Sequence, residues 1–205
     1  MKIHNLARTM PLGIVFLILL SVCVVTAAFN LPPDGMANTE SENGLAGEIA
    51  SIFTPQVQTW GNDIVRWAAD YGLDPNLVAT VMQIESCGHA KAVSRAGAQG
   101  LFQVMPFHFA ESEEMTDAET NARRGLEYLA LSLLKAEGDV SLALAGYNGG
   151  HGVIGWDSAD WPSETRRYVY WGSGIYAEAS AGAAESARLQ EWLAAGGTRL
   201  CVFGD

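Results

Sequence analysis

The sequence predicts a mainly α-helical single domain preceded by an apolar N-terminal segment. Helix start and stop signals bracket successive apolar runs along the chain. At 205 residues with 49% hydrophobic content, the chain is long enough for one domain with a real core, and a second full domain is not expected. The third observation is an uncharged run, Leu12 to Phe29, preceded by Lys2 and Arg8.

That run carries the cellular address. Positive residues on its N-terminal side only imply export of the downstream chain. Its eighteen residues exceed the roughly 7 to 15 of a signal core and just reach the roughly 18 of a spanning helix, so cleaved signal and membrane anchor both stay open. Thr26-Ala27-Ala28 offers small residues for cleavage, whereas Val22 before Cys23 argues against lipid attachment. Residues 1–29 are therefore read as signal peptide or anchor. Residues 30–53, rich in Pro, Gly, Asn and Ser, read as a flexible tether. Residues 54–205 read as the folded domain with a C-terminal helical extension. The net charge of −11 argues against a nucleic-acid partner.

Within the folded part, Pro55 suits a helix start, and Val57, Trp60, Ile64, Val65, Trp67 and Ala68 recur at helical spacing up to Tyr71-Gly72. The two tryptophans read as core. A second helix opens with Asp74 as cap and Pro75 in the first turn, buries Leu77, Val78, Val81, Met82 and Ile84, and runs out at Glu85 ahead of Gly88. At a helix C-terminus the backbone carbonyls disfavour negative charge, so Glu85 tends to hold its proton. It is either a solvated Glu at a fraying end or, facing a cleft with apolar walls, a general acid. His89 to Gln99 is small and polar and predicts a loop or short hairpin. The acidic stretch Glu111 to Asp117 reads as a solvated face. A long helix from Asp117 to Glu137 is expected to bury Ala122, Leu126, Leu129, Ala130, Leu133 and Leu134. A short one, Val140 to Tyr147, is released by Gly149 and Gly150. After an insertion at 151–162 containing Trp156 and Trp161, which could cap one end of a groove, Glu185 to Ala195 forms an amphipathic end helix with Leu189, Trp192 and Leu193 on one face.

Several of these stretches form an ordered set. Glu85-Ser86 is followed by Ser94 nine residues after Glu85, and by Gly100 to Pro106, GLFQVMP, with Gln103 eighteen after Glu85. NARRGLEYL at Asn121–Leu129, ALAGYNGG at Ala143–Gly150 and ETRRYV at Glu164–Val169 come next. The set resembles the catalytic core of the SLT-type lytic transglycosylases, goose-type-lysozyme-like enzymes that cut bacterial peptidoglycan, from about Trp60 to Tyr176. Phe102 stands where the family commonly has Met.

The resemblance implies a lysozyme-like single domain with a substrate groove. It implies Glu85 as the single general acid and base, Ser94 and Gln103 as sugar contacts, and Tyr147 with its hydroxyl toward Glu85. Asn148 would touch sugar or position its loop, and Glu164 would line the cleft. The implied reaction is nonhydrolytic cleavage of the β-1,4 bond between N-acetylmuramic acid and N-acetylglucosamine, leaving a 1,6-anhydromuramoyl end. Peptidoglycan glycan strands are the expected partner, a monomer the expected state, and the cell envelope or extracellular space the expected location. Membrane contact would come only through residues 12–29. No cofactor is implied, and His89 and His108 lack companions at metal-ligand spacing.

Two rivals stand beside this reading. A hydrolytic muramidase would need a second carboxylate about 5 to 9.5 Å from the first, for which Glu113, Glu114 and Asp117 are candidates. A noncatalytic peptidoglycan-binding protein would need no acid at all. With Cys23 set aside, Cys87 and Cys201 are the cysteines of the exported part, and an oxidising compartment favours their pairing, the alternative being a buried free thiol and a mobile tail. A loop of more than 100 residues closed in this way is worth on the order of 4 to 5 kcal/mol in the chain-entropy account.

Overall fold

A computed structural model describes residues 48–202 of the chain. The expected signal or anchor (1–29), the tether up to residue 47 and the last three residues lie outside the described part. Among the described residues, no helix is long and apolar enough to cross a membrane.

The architecture is mainly helical: α1 (Pro55–Gln58), α2 (Gly61–Tyr71), α3 (Pro75–Glu85), α4 (Ala118–Lys135), α5 (Val140–Gly149), α6 (Ser163–Ser180), α7 (Ala187–Trp192) and α8 (Thr198–Cys201). Three of these begin on an aspartate whose carboxylate accepts a backbone N–H of the first turn: Asp74 from Asn76, Asp117 from Thr120 and Asp139 from Leu142. Helix α3 is the centre of the molecule. Every residue from Leu77 to Ile84 is buried, including Thr80 and Gln83. The Thr80 hydroxyl donates to the Asn76 carbonyl, while Gln83 Oε1 accepts from the N–H and hydroxyl of Thr54 and its Nε2 donates to Cys87 Sγ at 3.1 Å. Burial without loss of hydrogen bonds is what permits polar residues there.

Four elements of the fold depart from the sequence reading. The tether ends sooner than residue 53, because Ile49, Ile52 and Phe53 are core residues and the Ala50 N–H donates to Asn76 Oδ1 at 2.7 Å. The expected first helix is two, α1 and α2, broken at Thr59-Trp60, where the Trp60 indole N–H reaches out to the Gly88 carbonyl. Leu134 is 75% exposed, since one residue of helix rotates it off the Leu126–Leu129–Leu133 face. Trp161 is buried against Ala145 and Val153, with its N–H donating to the Val153 carbonyl, and so packs the fold without lining a groove.

The loop between α3 and α4 is held from below by α4. Asn121, fully buried, donates through Nδ2 to the Gln99 and Met115 carbonyls and accepts the Phe102 N–H on Oδ1. Isolated bridges pair Gln99 with Val93 and with Val104, a hairpin in miniature. Gly100 has φ +73°, and a Cβ there would strike the Asn121 amide at 2.4 Å, so both conformation and space require glycine.

One turn further along α4, a Cβ on Gly125 would fall 2.5 Å from Phe102 Cβ and 3.3 Å from the Tyr147 hydroxyl. Gly125→Ala is therefore expected to cost about 1–3 kcal/mol through overpacking. Urea unfolding should show a lowered midpoint with an unchanged slope.

Candidate active site

Two cavities meet at Asn148, which lines both. The first, about 270 Å³, lies between the Gln103–His108 segment, α4 and the end of α5. The second, about 250 Å³, is lined by Ile84 and Glu85 of α3, Glu164, Arg167, Tyr168 and Trp171 of α6, and Trp192 of α7. The larger cavity is lined by aromatic and backbone surface, and the smaller one holds the carboxyl chemistry.

Glu85 is the last residue of α3, and left-handed backbone at Cys87 (φ 52°) and Gly88 (φ 82°) turns the chain away immediately after it. The residue keeps some surface, yet protein packs densely around its carboxyl. Desolvation therefore dominates and raises its pKa from an ordinary 4.5 to about 8. The negative charge of Glu164 in the same cavity pushes the same way, while the Tyr168 hydroxyl opposes both by favouring the ionised form. Glu85 is thus protonated near neutral pH and sits near a hydroxyl that favours its ionised form.

Two tyrosines lie within electrostatic reach of Glu85, the expected Tyr147 and, beside it, Tyr168. The Tyr147 hydroxyl donates to the Phe102 carbonyl at 2.7 Å, which commits it to the floor of the first cavity. Tyr168 is buried, its hydroxyl has no hydrogen-bond partner among the described residues, and it lies near enough to the Glu85 carboxyl to favour its ionised form. Burial raises the pKa of both tyrosines far above the ordinary value, and the charge of Glu85 adds to it. Both are protonated donors at neutral pH.

The other expected residues divide. Gln103 lines the first cavity with φ 46°, and its side-chain amide donates to the Ala92 and Gly100 carbonyls, bracing the loop from within. Ser94 Oγ accepts the Ala98 N–H, a local turn bond, and the residue lines neither cavity. Asn148 Oδ1 accepts from the Thr165 hydroxyl at 2.9 Å, tying the end of α5 to α6. Glu164 lies in the Glu85 cavity. Ser86, the residue after Glu85, donates its hydroxyl to the Leu101 carbonyl at 2.7 Å and so fixes the loop to the end of α3.

The carboxylates considered for activating water are engaged elsewhere. Glu113 accepts from Arg123 at 2.6 Å and from Arg124 at 2.8 Å, which lowers its pKa to about 2. Asp117 caps α4, and Glu114 pairs with Lys91 at 3.2 Å on the surface. Glu164 is the carboxylate that shares the Glu85 cavity.

Sequence reasoning missed Arg167, Tyr168, Trp171 and Trp192 in one cavity, and Phe107, His108 and Tyr128 in the other. A signal for the first group existed, because Glu164, Tyr168 and Trp171 recur at four and three residues, which puts them on one face of a helix. Tyr128 stacks on His151 with ring centroids 4.2 Å apart, His108 lies tilted against Tyr128 at 5.0 Å, and Phe107 stands 76% exposed beside them. Such faces suit the apolar side of a sugar ring.

Two measurements test this electrostatic picture. The native state retains the Glu85 proton between about pH 4.5 and 8 while the unfolded chain releases it, so this residue makes stability fall as pH rises through that window and level off above it. Glu85→Gln should match wild type near pH 4.5 and exceed it by up to a few kcal/mol above pH 8 in denaturant titrations. In carboxyl ¹³C NMR titrations, Tyr168→Phe should raise the Glu85 pKa, because it deletes the donor that favours ionisation. Tyr147→Phe should move it less.

Residues 63–165 match the family described as Transglycosylase SLT domain. A transglycosylase of Enterobacteria phage PRD1 is 39% identical over 111 residues, covering 53% of this chain and 40% of that protein. Membrane-bound lytic murein transglycosylase C of Edwardsiella ictaluri (strain 93-146) is 32% identical over 114 residues, covering 45% of this chain and 32% of its own length. The X-ray structure of an inactive mutant of lytic transglycosylase Slt from Pseudomonas aeruginosa aligns with TM-score 0.49 and 26% identity over 58% of this chain and 24% of that one. The chain thus spans less than half the length of these relatives. With its matched region holding Glu85, Gln103, Tyr147 and Glu164, the chain belongs to the transglycosylase SLT-domain family.

Proposed function

We propose that the protein is a peptidoglycan lytic transglycosylase that cleaves the β-1,4 bond between N-acetylmuramic acid and N-acetylglucosamine and leaves a 1,6-anhydromuramoyl end. The observation that carries this reading is a carboxyl held protonated to about pH 8 at the wall of a cavity. A neutral Glu85 donates its proton to the departing glycosidic oxygen. The resulting carboxylate, stabilised by the Tyr168 hydroxyl, takes the proton from the muramoyl 6-hydroxyl as that oxygen attacks C1. The glycosidic C–O bond breaks, the intramolecular C–O bond forms, and Glu85 is returned to its protonated state. The glycan strand lies along the two cavities, with Phe107 and its neighbouring rings under sugar on one side of the bond. Action in the cell envelope follows from the substrate, from the membrane-bound relative and from the apolar run at 12–29.

One observation favours a second reading. Glu164 shares the cavity with Glu85 and forms no salt bridge among the described residues, so it could orient a water for hydrolysis in place of internal attack. Mass spectrometry of digested sacculi separates the two: anhydromuramoyl ends are expected, and reducing ends without them would replace the transglycosylase by a muramidase.

Glu85→Gln should retain glycan binding while losing at least the roughly 100- to 10,000-fold in turnover typical of a missing general acid. Cleavage of purified sacculi at more than about a tenth of the wild-type rate would remove Glu85 from that role.

A further inference from the structure

The chain beyond residue 165 lies outside the matched family region, yet it reaches the Glu85 cavity. Its C-terminal extension, residues 186–201, is fastened at both ends. At its start the Ser186 hydroxyl caps α7 by accepting the Leu189 N–H at 2.9 Å and donates to the Glu178 carboxylate of α6. At its end Cys201 is bonded to Cys87, and the Cys201 carbonyl accepts from Gln56 Nε2 at 3.0 Å. Cys87 stands two residues after Glu85. Between the two anchors sits Trp192, 5% exposed and lining the Glu85 cavity. The backbone after it is built around its ring. Gly196 has φ 122°, and a Cβ on Gly197 would come within 2.5 Å of the indole.

We infer that this disulfide-clamped extension is part of the catalytic site, with Trp192 as a positioning residue that walls the Glu85 carboxyl off from water. The inference rests on the proposed role of Glu85. Charge from the extension does not account for its effect. The charged and titratable groups around Glu85 are Glu164, Arg167 and Tyr168 from α6 and Tyr147 from α5, whereas Arg188 and Glu191 of α7 are engaged with the Tyr170 ring and hydroxyl. Trp192 contributes apolar surface, and apolar surface acts by excluding solvent. The clamp holds that surface in place, since the ring lies nine residues before Cys201 and the extension has no other covalent tie.

The test is the titration of Glu85 in the full exported domain, read by carboxyl ¹³C NMR and by the pH profile of kcat/KM on purified glycan strands. Trp192→Leu removes the ring and Gly197→Ala displaces it without altering a lining residue. The Cys87→Ser/Cys201→Ser pair releases the clamp. Each should lower the Glu85 pKa from about 8 by a unit or more, shift the alkaline limb of the profile down with it, and reduce activity about tenfold at pH 9. Circular dichroism identifies which variants are folded, and Trp192→Phe, which keeps most of the volume, should give a smaller shift in the same direction. Folded Trp192→Phe and Gly197→Ala proteins with an unmoved Glu85 titration would overturn the inference and leave the extension as packing. An active Glu85→Gln protein would instead sink the proposed function while the NMR titration still decided the role of the wall.

Discussion

A carboxyl stays neutral near pH 7 only where it is kept dry, and burial does this for Glu85 at the end of α3. The helix is buried along its whole apolar length, from Leu77 to Ile84, so its last residue emerges from the core already desolvated. The helix terminus adds a field of carbonyl oxygens, and Glu164 adds a like charge. Tyr168 alone pulls toward ionisation. These forces are unequal, and their balance near pH 8 leaves the group mostly protonated at neutrality while a proton can still be removed without great cost.

Dryness also has to coexist with an open groove. The loop from His89 to Pro106 solves this by hydrogen bonding to itself and to α4. Ser86 holds the Leu101 carbonyl, Asn121 holds three backbone groups, and Gln103 braces two carbonyls from within the loop. A residue such as Gln103 therefore does two things with one side chain: its amide nitrogen shapes the loop, and its place on the cavity wall exposes the rest to a ligand. Breaking such a network in a low-dielectric interior leaves buried carbonyls unpaired, which costs more than the bond itself contributes.

What could be read from the sequence was what local chemistry decides. Asp74, Asp117 and Asp139 begin their helices because capping needs only the next three residues. Glu85 at a helix end and Glu164 on a later helix followed from the same logic together with the ordered family motifs. What escaped was direction. The Tyr147 and Tyr168 hydroxyls are both buried within reach of the Glu85 charge, and only the packing of α5 puts the first on the Phe102 carbonyl while the second has no partner among the described residues. The break at Trp60 has the same origin, a contact far away in the chain. Trp192 was legible as an apolar face and illegible as a cavity wall, since nothing within α7 says what that face will cover.

In the proposed reaction, the closeness of Glu164 to Glu85 accounts for how the acid recovers its proton. With Glu85 ionised, two carboxylates share a cavity of about 250 Å³, with the Tyr168 hydroxyl and the Arg167 cation among its lining groups. Interaction of like charges in such a place is stronger than in bulk water, so the ionised state is disfavoured and takes a proton back readily. An ionised Glu85 therefore seeks the nearest hydroxyl proton, and in the proposed reaction the muramoyl 6-hydroxyl is carried to it by the substrate itself. A water held by Glu164 would compete for the same step. In the proposed reaction, the oxygen that attacks C1 is the one the cavity walls leave room for, and one side of those walls, Arg167, Tyr168, Trp171 and Trp192, comes from the part of the chain beyond the matched family region.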